Sequence, residues 1–182
     1  MSAIPAALQG PLSDFDRSDD FVRSAIGRVD SARLNLQPAP QRWTVLQCFA
    51  HLTAVNFAIA DAMEKALDSL PRDAAAVDRL RPGLPWGLFF KILEPPVRFK
   101  ARAPAAIQPS PILDADETTA AFTAVHDRLR TLASRCDGVD LNRSAFRHPF
   151  IPLRLSVGGA YLLIAAHDRR HLWQAEQTGH LQ

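Results

Sequence analysis

Eight of the fourteen prolines in this 182-residue chain fall between Pro71 and Ile112, and that clustering limits the fold more than any other feature. A proline lacks the amide proton that a helix interior or a central strand requires, so the stretch cannot be one regular element. On each side of it lie two segments with apolar residues at helical spacing, and none shows convincing strand alternation. The first runs from about Asp14 to Leu36, with Phe15, Val22, Ile26 and Val29 on one face, and Pro38 and Pro40 end it. The second opens on Thr44 and Gln47 in a capping-box pattern behind Trp43, a hydrophobic staple, and continues through Leu52, Val55, Ile59 and Met63 to about Leu70. The third opens at Asp114 with Glu117 three residues on, and carries Phe122, Val125, Leu129, Leu132 and Cys136 before Gly138 stops it. The fourth begins near Ser156, is weakened at its first turn by Gly158 and Gly159, and is firm from Tyr161 to Gln177. A short helical piece around Trp86 to Leu93 fits inside the proline-rich stretch.

Short loops make neighbouring helices antiparallel, whereas a long crossover lets two consecutive helices run parallel. The expected fold is therefore all-α, an up-down-down-up four-helix bundle with a long crossover between helices 2 and 3, in one domain spanning residues 1–182. With 47% hydrophobic residues, such a chain can bury its core without disulfides or a structural metal. Basic residues number 21 against 19 acidic, a net charge of +2. That total argues against the basic footprint of a nucleic-acid binder, while a pI of about 8.8 leaves weak anion binding open. Cys48 and Cys136 are too few for a disulfide scaffold and fit free core thiols in a reducing, cytoplasmic setting. Met1 to Leu12 lacks the basic start and apolar run of a signal peptide. No run of about 18 uninterrupted apolar residues suits a membrane span. Neither a membrane nor a nucleic acid is expected as a partner.

The chemistry concentrates in Ala165-Ala166-His167-Asp168-Arg169-Arg170-His171-Leu172. His167 and His171 are four apart on the fourth helix, so their imidazoles stand on one face a turn apart, and two imidazoles so placed can grip one divalent ion. Ala160, Ile164, His167, His171 and Gln174 form one stripe, which sets the pair among core positions. Buried without partners, their nitrogens would cost about 1–3 kcal/mol each, and a shared metal ion removes that cost. The alternative is a pair that is exposed or hydrogen-bonded to neighbours such as Asp168. His51, between Cys48, Leu52 and Val55 about two turns into the second helix, offers a third ligand. Alone, a histidine on an apolar face is more often a satisfied core residue; beside the pair it would complete a facial triad. Three neutral imidazoles suit a divalent transition metal, zinc or nickel ahead of iron, with copper also compatible, better than magnesium or calcium. Three protein ligands leave coordination positions open, as in catalytic sites.

The run Trp43-Thr44-Val45-Leu46-Gln47-Cys48-Phe49-Ala50-His51-Leu52 resembles the second-helix signature of the DinB/YfiT-like superfamily. His148-Pro149-Phe150 and the segment Tyr161 to Gln174 resemble its His-Pro element and its fourth helix with a histidine pair. The resemblance covers about Asp14 to Gln177. It implies an up-down-down-up bundle, a metal site carried by His51, His167 and His171, and a homodimer as one assembly. Activities in the family include transfer of low-molecular-weight thiols such as bacillithiol, mycothiol-dependent isomerisation and hydrolysis. The resemblance thus points to a metal-dependent enzyme of thiol S-transferase or hydrolase type acting on a small molecule, with a non-catalytic metal- or ligand-binding bundle as the alternative. Gln47 stands where the family often has an acid, which leaves the triad intact.

Other polar residues have plainer expected roles. Cys48 reads as a core thiol, and Asp168 and Arg170 as exposed ion-pairing groups on the back of the fourth helix. Gln174, one turn beyond His171, can orient that ring or bond to a neighbouring helix. His148 is expected to cap or pack near the bundle mouth, His126 to be solvated beside Asp127, and His180 to lie in a tail. Arg98, Lys100 and Arg102 form either a solvated loop or an anion-attracting rim.

Overall fold

The computed structural model describes residues 3–97 and 103–181, so the trio Arg98, Lys100 and Arg102 lies outside the described residues. A 3₁₀ turn, Ala6–Leu8, leads into α1 (Gln9–Arg28), followed by the one-turn α2 (Ser31–Leu34), α3 (Val45–Leu67) and α4 (Trp86–Leu93). A second 3₁₀ turn, Ala105–Ile107, precedes α5 (Ala115–Ser134), the strands β1 (Ala145–Arg147) and β2 (Arg154–Ser156), and α6 (Val157–Glu176).

Caps decide where these helices begin. Thr44 Oγ1 accepts the Gln47 amide at 3.1 Å and Gln47 Oε1 accepts the Thr44 amide at 3.0 Å, the reciprocal arrangement that satisfies two orphan donors. Asp114 caps α5 through the Glu117 amide at 2.8 Å, and Ser156 caps α6 through the Gly159 amide at 3.0 Å. Asp30 accepts the Ala32 amide at 2.8 Å, and this local bond starts a new helix where a single helix to Leu36 was expected. The first helix is thus two pieces, and it also begins five residues before Asp14, with Pro11 tolerated in its first turn.

The four long helices form a closed ring of contacts, α3 against α5 and α6, and α1 against α5 and α6. Helix α3 has the length and apolarity to cross a membrane, yet most of it is buried inside the protein. Arg128 pairs with Asp61 and Glu64, and Arg135 with Glu64 and Asp68, so α3 and α5 rise together. Gln47 Nε2 donates to the Ser110 carbonyl at 3.1 Å and Asn35 bonds Leu113 through both its amide nitrogen and oxygen, tying the end of the crossover to the start of α3.

Between the two apolar clusters of the core runs a polar layer that the sequence did not announce. Leu12, Phe15, Ile59, Met63, Leu129 and Ile164 belong to one cluster, and Val22, Phe49, Leu52, Phe122 and Leu172 to the other. On each long helix the residue between them is polar and buried: Asp19, Asn56, His126 and Asp168. Two expectations fail here. His126 is not solvated and Asp168 is not exposed, since both are fully enclosed. His126 Nδ1 meets Asp19 Oδ1 at 2.7 Å, and its Nε2 lies 3.1 Å from Asp168 Oδ2. The second contact is misaligned as a hydrogen bond and acts as a charge contact. Asn56 Nδ2 donates to Asp168 Oδ1 at 3.1 Å, and Arg130 reaches Asp19 Oδ2 at 2.8 Å from the rim. Phe15 stacks on the His126 ring at 4.7 Å and Phe122 meets it edge-on at 4.6 Å.

Burial opposes a charge on His126, but Asp168 and Asp19 outweigh it and raise its pKa to about 9. A folded-state value above the unfolded one, about 6.5, means stability present in full below pH 6.5 and lost as pH rises through about 9. Urea midpoints measured from pH 6 to pH 10 should therefore fall across the upper part of that range, and His126→Phe should flatten the decline.

A two-stranded hairpin also departs from the all-helical expectation. β1 and β2 pair antiparallel, with Phe146 opposite Leu155, and both side chains are buried. Three residues per strand are too few for alternation to stand out in a sequence. Beyond α5, Gly138 turns the chain at a φ of 72°, and a Cβ there would sit 2.4 Å from the Arg72 carbonyl oxygen. Gly138→Ala should lose about 1–3 kcal/mol, read as a lower thermal midpoint.

Candidate metal centre

His51 sits two turns into α3 and faces α6, where His167 and His171 stand one helical turn apart. The helix periodicity brings the pair to one face, and the α3–α6 contact brings the third ring to it. Ring centroids lie 5.2 Å (His51 to His167), 4.8 Å (His51 to His171) and 4.6 Å (His167 to His171) apart. One ligand nitrogen from each falls within 4.8 Å of the others, a spacing at which three imidazoles could hold one ion.

Two of the rings have their tautomer set by a neighbour. His51 Nδ1 donates to the Ile107 carbonyl at 2.9 Å, and His171 Nδ1 to Gln174 Oε1 at 3.0 Å. Each bond commits Nδ1 as the N–H and leaves Nε2 as the lone pair, the arrangement by which outer groups orient metal-binding histidines. His167 differs: its Nδ1 is buried with no hydrogen-bond partner among the described residues. Such an orphan costs about 1–3 kcal/mol, and its presence in a cluster of nitrogen donors fits a cation better than an apolar interior. His51 and His171 are buried and His167 is partly buried.

Electrostatics keep the donors neutral. Burial first, then the charge of Arg170, lowers the pKa of His51 against the opposing Ile107 bond. Burial, then His51, Arg170 and His148, holds His167 well below the usual imidazole value. Burial, His167, His51 and Arg170 do the same for His171, with the Gln174 bond opposing. Trp43 covers the cluster, 4.7 Å from the His51 ring and 5.7 Å from the His171 ring; the sequence marked it only as a staple.

The other sequence candidates divide as follows. Cys48 is a buried thiol that burial pushes up to about 12, a core group as expected. Gln174 orients His171. His148 accepts the Phe150 and Ile151 amides, both at 3.1 Å, packs on Trp86 at 5.4 Å and is pushed down to about 4 by burial. It is a turn-capping residue near the site. Arg169 is an ion-pairing arginine of α6, bridging Glu94 and Asp14. Arg170 is half-buried, with a long contact to the Ile92 carbonyl at 3.5 Å. Sequence reading missed Ile107: a backbone acceptor carries no side-chain signal, and only the return of the crossover brings it to His51.

Fold and site together define a mostly helical protein whose three-histidine cluster could hold a metal ion. The chain belongs to the DinB superfamily, which it matches over residues 14–175, in agreement with the resemblance of its motifs. No curated protein and no solved structure matches the chain.

Proposed function

We propose that the protein is a metal-dependent small-molecule enzyme of thiol S-transferase or hydrolase type, with His51, His167 and His171 as the metal ligands. The carrying observation is the convergence of three neutral imidazoles, two with their lone pairs aimed by Ile107 and Gln174 and one with an unsatisfied buried nitrogen. The donor set favours zinc, nickel or iron over an oxygen-seeking cation. A divalent ion held there lowers the pKa of a bound thiol or water and makes it nucleophilic near neutral pH.

The chain's own residues would do the rest. Trp43 closes one side of the cluster and excludes water. Arg170, whose charge is felt by all three rings, would help keep them in the neutral, metal-binding form. The crossover would bound the pocket through Ile107 and the end of α4, where the Ile92 carbonyl lies 3.5 Å from Arg170. An up-down-down-up bundle in a single domain supports this reading, because it sets the early part of α3 beside the late part of α6. The supporting contacts are His51 with His171 and Asn56 with Asp168.

Metal-reconstituted protein should turn over a model electrophile with at least one low-molecular-weight thiol or with water, and turnover should need both added metal and His51. Full activity in His51→Ala, or none with any thiol or metal, would sink the proposal. Gln174→Ala should weaken metal affinity about 10–100-fold without unfolding the protein, measured by competition with a chromophoric chelator.

A further inference from the structure

The near-neutral total charge hides an uneven distribution. From Arg79 to Leu113 the sequence holds six basic residues and one acid, Glu94, and from Leu141 to His167 it holds three basic residues and no acid. These two segments carry a net +8 against −6 for the rest of the chain. Described residues of the two segments are neighbours in space: Trp86 Nε1 donates to the Arg154 carbonyl at 2.7 Å, the Arg81 amide to Asn142 Oδ1 at 2.7 Å, and Asn142 Nδ2 to the Arg79 carbonyl at 3.1 Å. Glu94, the single acid, is taken by Arg169.

The pattern of ion pairing sharpens the contrast. Arg128, Arg130, Arg135 and Arg169 each bind carboxylates between helices. Arg79, Arg81, Lys91, Arg143 and Arg147 are exposed, and among the described residues none of them makes an ion pair.

The same face is apolar where it need not be. Helix α4 buries Trp86, Phe90 and Leu93, yet its Leu88 and Ile92 are 62% and 39% exposed, and Leu84 in the turn before it is 91% exposed. Leu153 in the turn of the hairpin, next to the Arg154 that α4 binds, is 41% exposed. Exposed aliphatic residues on elements that also carry cations without ion pairs among the described residues are the composition of a surface that lies in a lipid headgroup region. A second copy of the chain fits poorly, because a two-fold interface would set this positive face against itself. A nucleic acid would use the cations but not the leucines.

We infer that α4 and the β1–β2 hairpin form a peripheral docking face for an anionic lipid bilayer, with Leu84, Leu88, Ile92 and Leu153 entering the interface and Arg79, Arg81, Lys91 and Arg147 meeting lipid phosphates. The inference stands apart from the metal chemistry.

Co-sedimentation of the full chain with vesicles of phosphatidylcholine alone, and with roughly a third phosphatidylglycerol added, tests it. Binding to the anionic vesicles only, lost at high salt, is the expected result. Arg81→Gln and Lys91→Gln should each lower the partition about fivefold, and Leu84→Ser with Leu88→Ser by about tenfold or more. Arg23→Gln removes one charge from α1 and should leave binding unchanged. No binding at low salt, equal binding to both vesicles, indifference to the leucine changes, or an equal loss with Arg23→Gln would each overturn the inference. So would light scattering that shows a dimer dissolved by Leu88→Ser, since the face would then belong to a second copy.

Discussion

Replacing His126 by alanine is expected to destabilise the protein by about 3–5 kcal/mol, one of the largest single effects in the chain. The imidazolium is fully enclosed between Asp19 and Asp168, and its removal leaves two carboxylates facing each other in the core. Among the described residues nothing else in the layer neutralises both, since of the two carboxylates Arg130 reaches Asp19, and Asn56, an uncharged amide, reaches Asp168. Exchanging His126, Asp19 and Asp168 together for leucine should cost far less, because a buried ion network and an apolar core of like volume are often close in free energy. The comparison is made by urea denaturation at pH 7. A loss under about 1 kcal/mol in the single variant would mean that the ring is not a charged link between the helices.

The second large effect concerns metal. Wild-type protein loaded with zinc or nickel should carry about one ion per chain, while His167→Ala should retain almost none. The loss of affinity should exceed the 10–100-fold expected from removing an orienting group such as Gln174. Elemental analysis of both proteins after identical dialysis reads the difference, and the cobalt-substituted forms give an independent spectrum. His167→Ala also deletes the orphaned Nδ1, so its apo form should unfold no earlier than apo wild type by more than the cost of a small cavity. Equal metal content in the two proteins would remove His167 from the ligand set.

Much of the site was legible because helices repeat at 3.6 residues. The i, i+4 spacing of His167 and His171 places two rings on one face whatever surrounds them, and His51 could be added because it interrupts an apolar stripe. The caps at Thr44 and Asp114 were legible because a capping side chain bonds an amide two or three residues away. Legibility failed where the partner lay far along the chain. His126 beside Asp127 and Arg128 looked like a solvated residue in a charged run, and Asp168 between His167 and Arg169 looked like an outward carboxylate. Each is buried because the other is there, 42 positions away in sequence, with Asp19 contributed by a third helix.

Local bonding and periodicity, then, belonged to the sequence alone: the long helical segments, the starts of α3 and α5, the break imposed by eight prolines, and a histidine pair poised for a cation. The tertiary structure decided which polar residues could be enclosed, which backbone oxygen would orient His51, and which of the described cations would find ion pairs. The physical reason is that burying a charge costs several kcal/mol unless a counter-charge arrives, and whether one arrives depends on how distant segments pack.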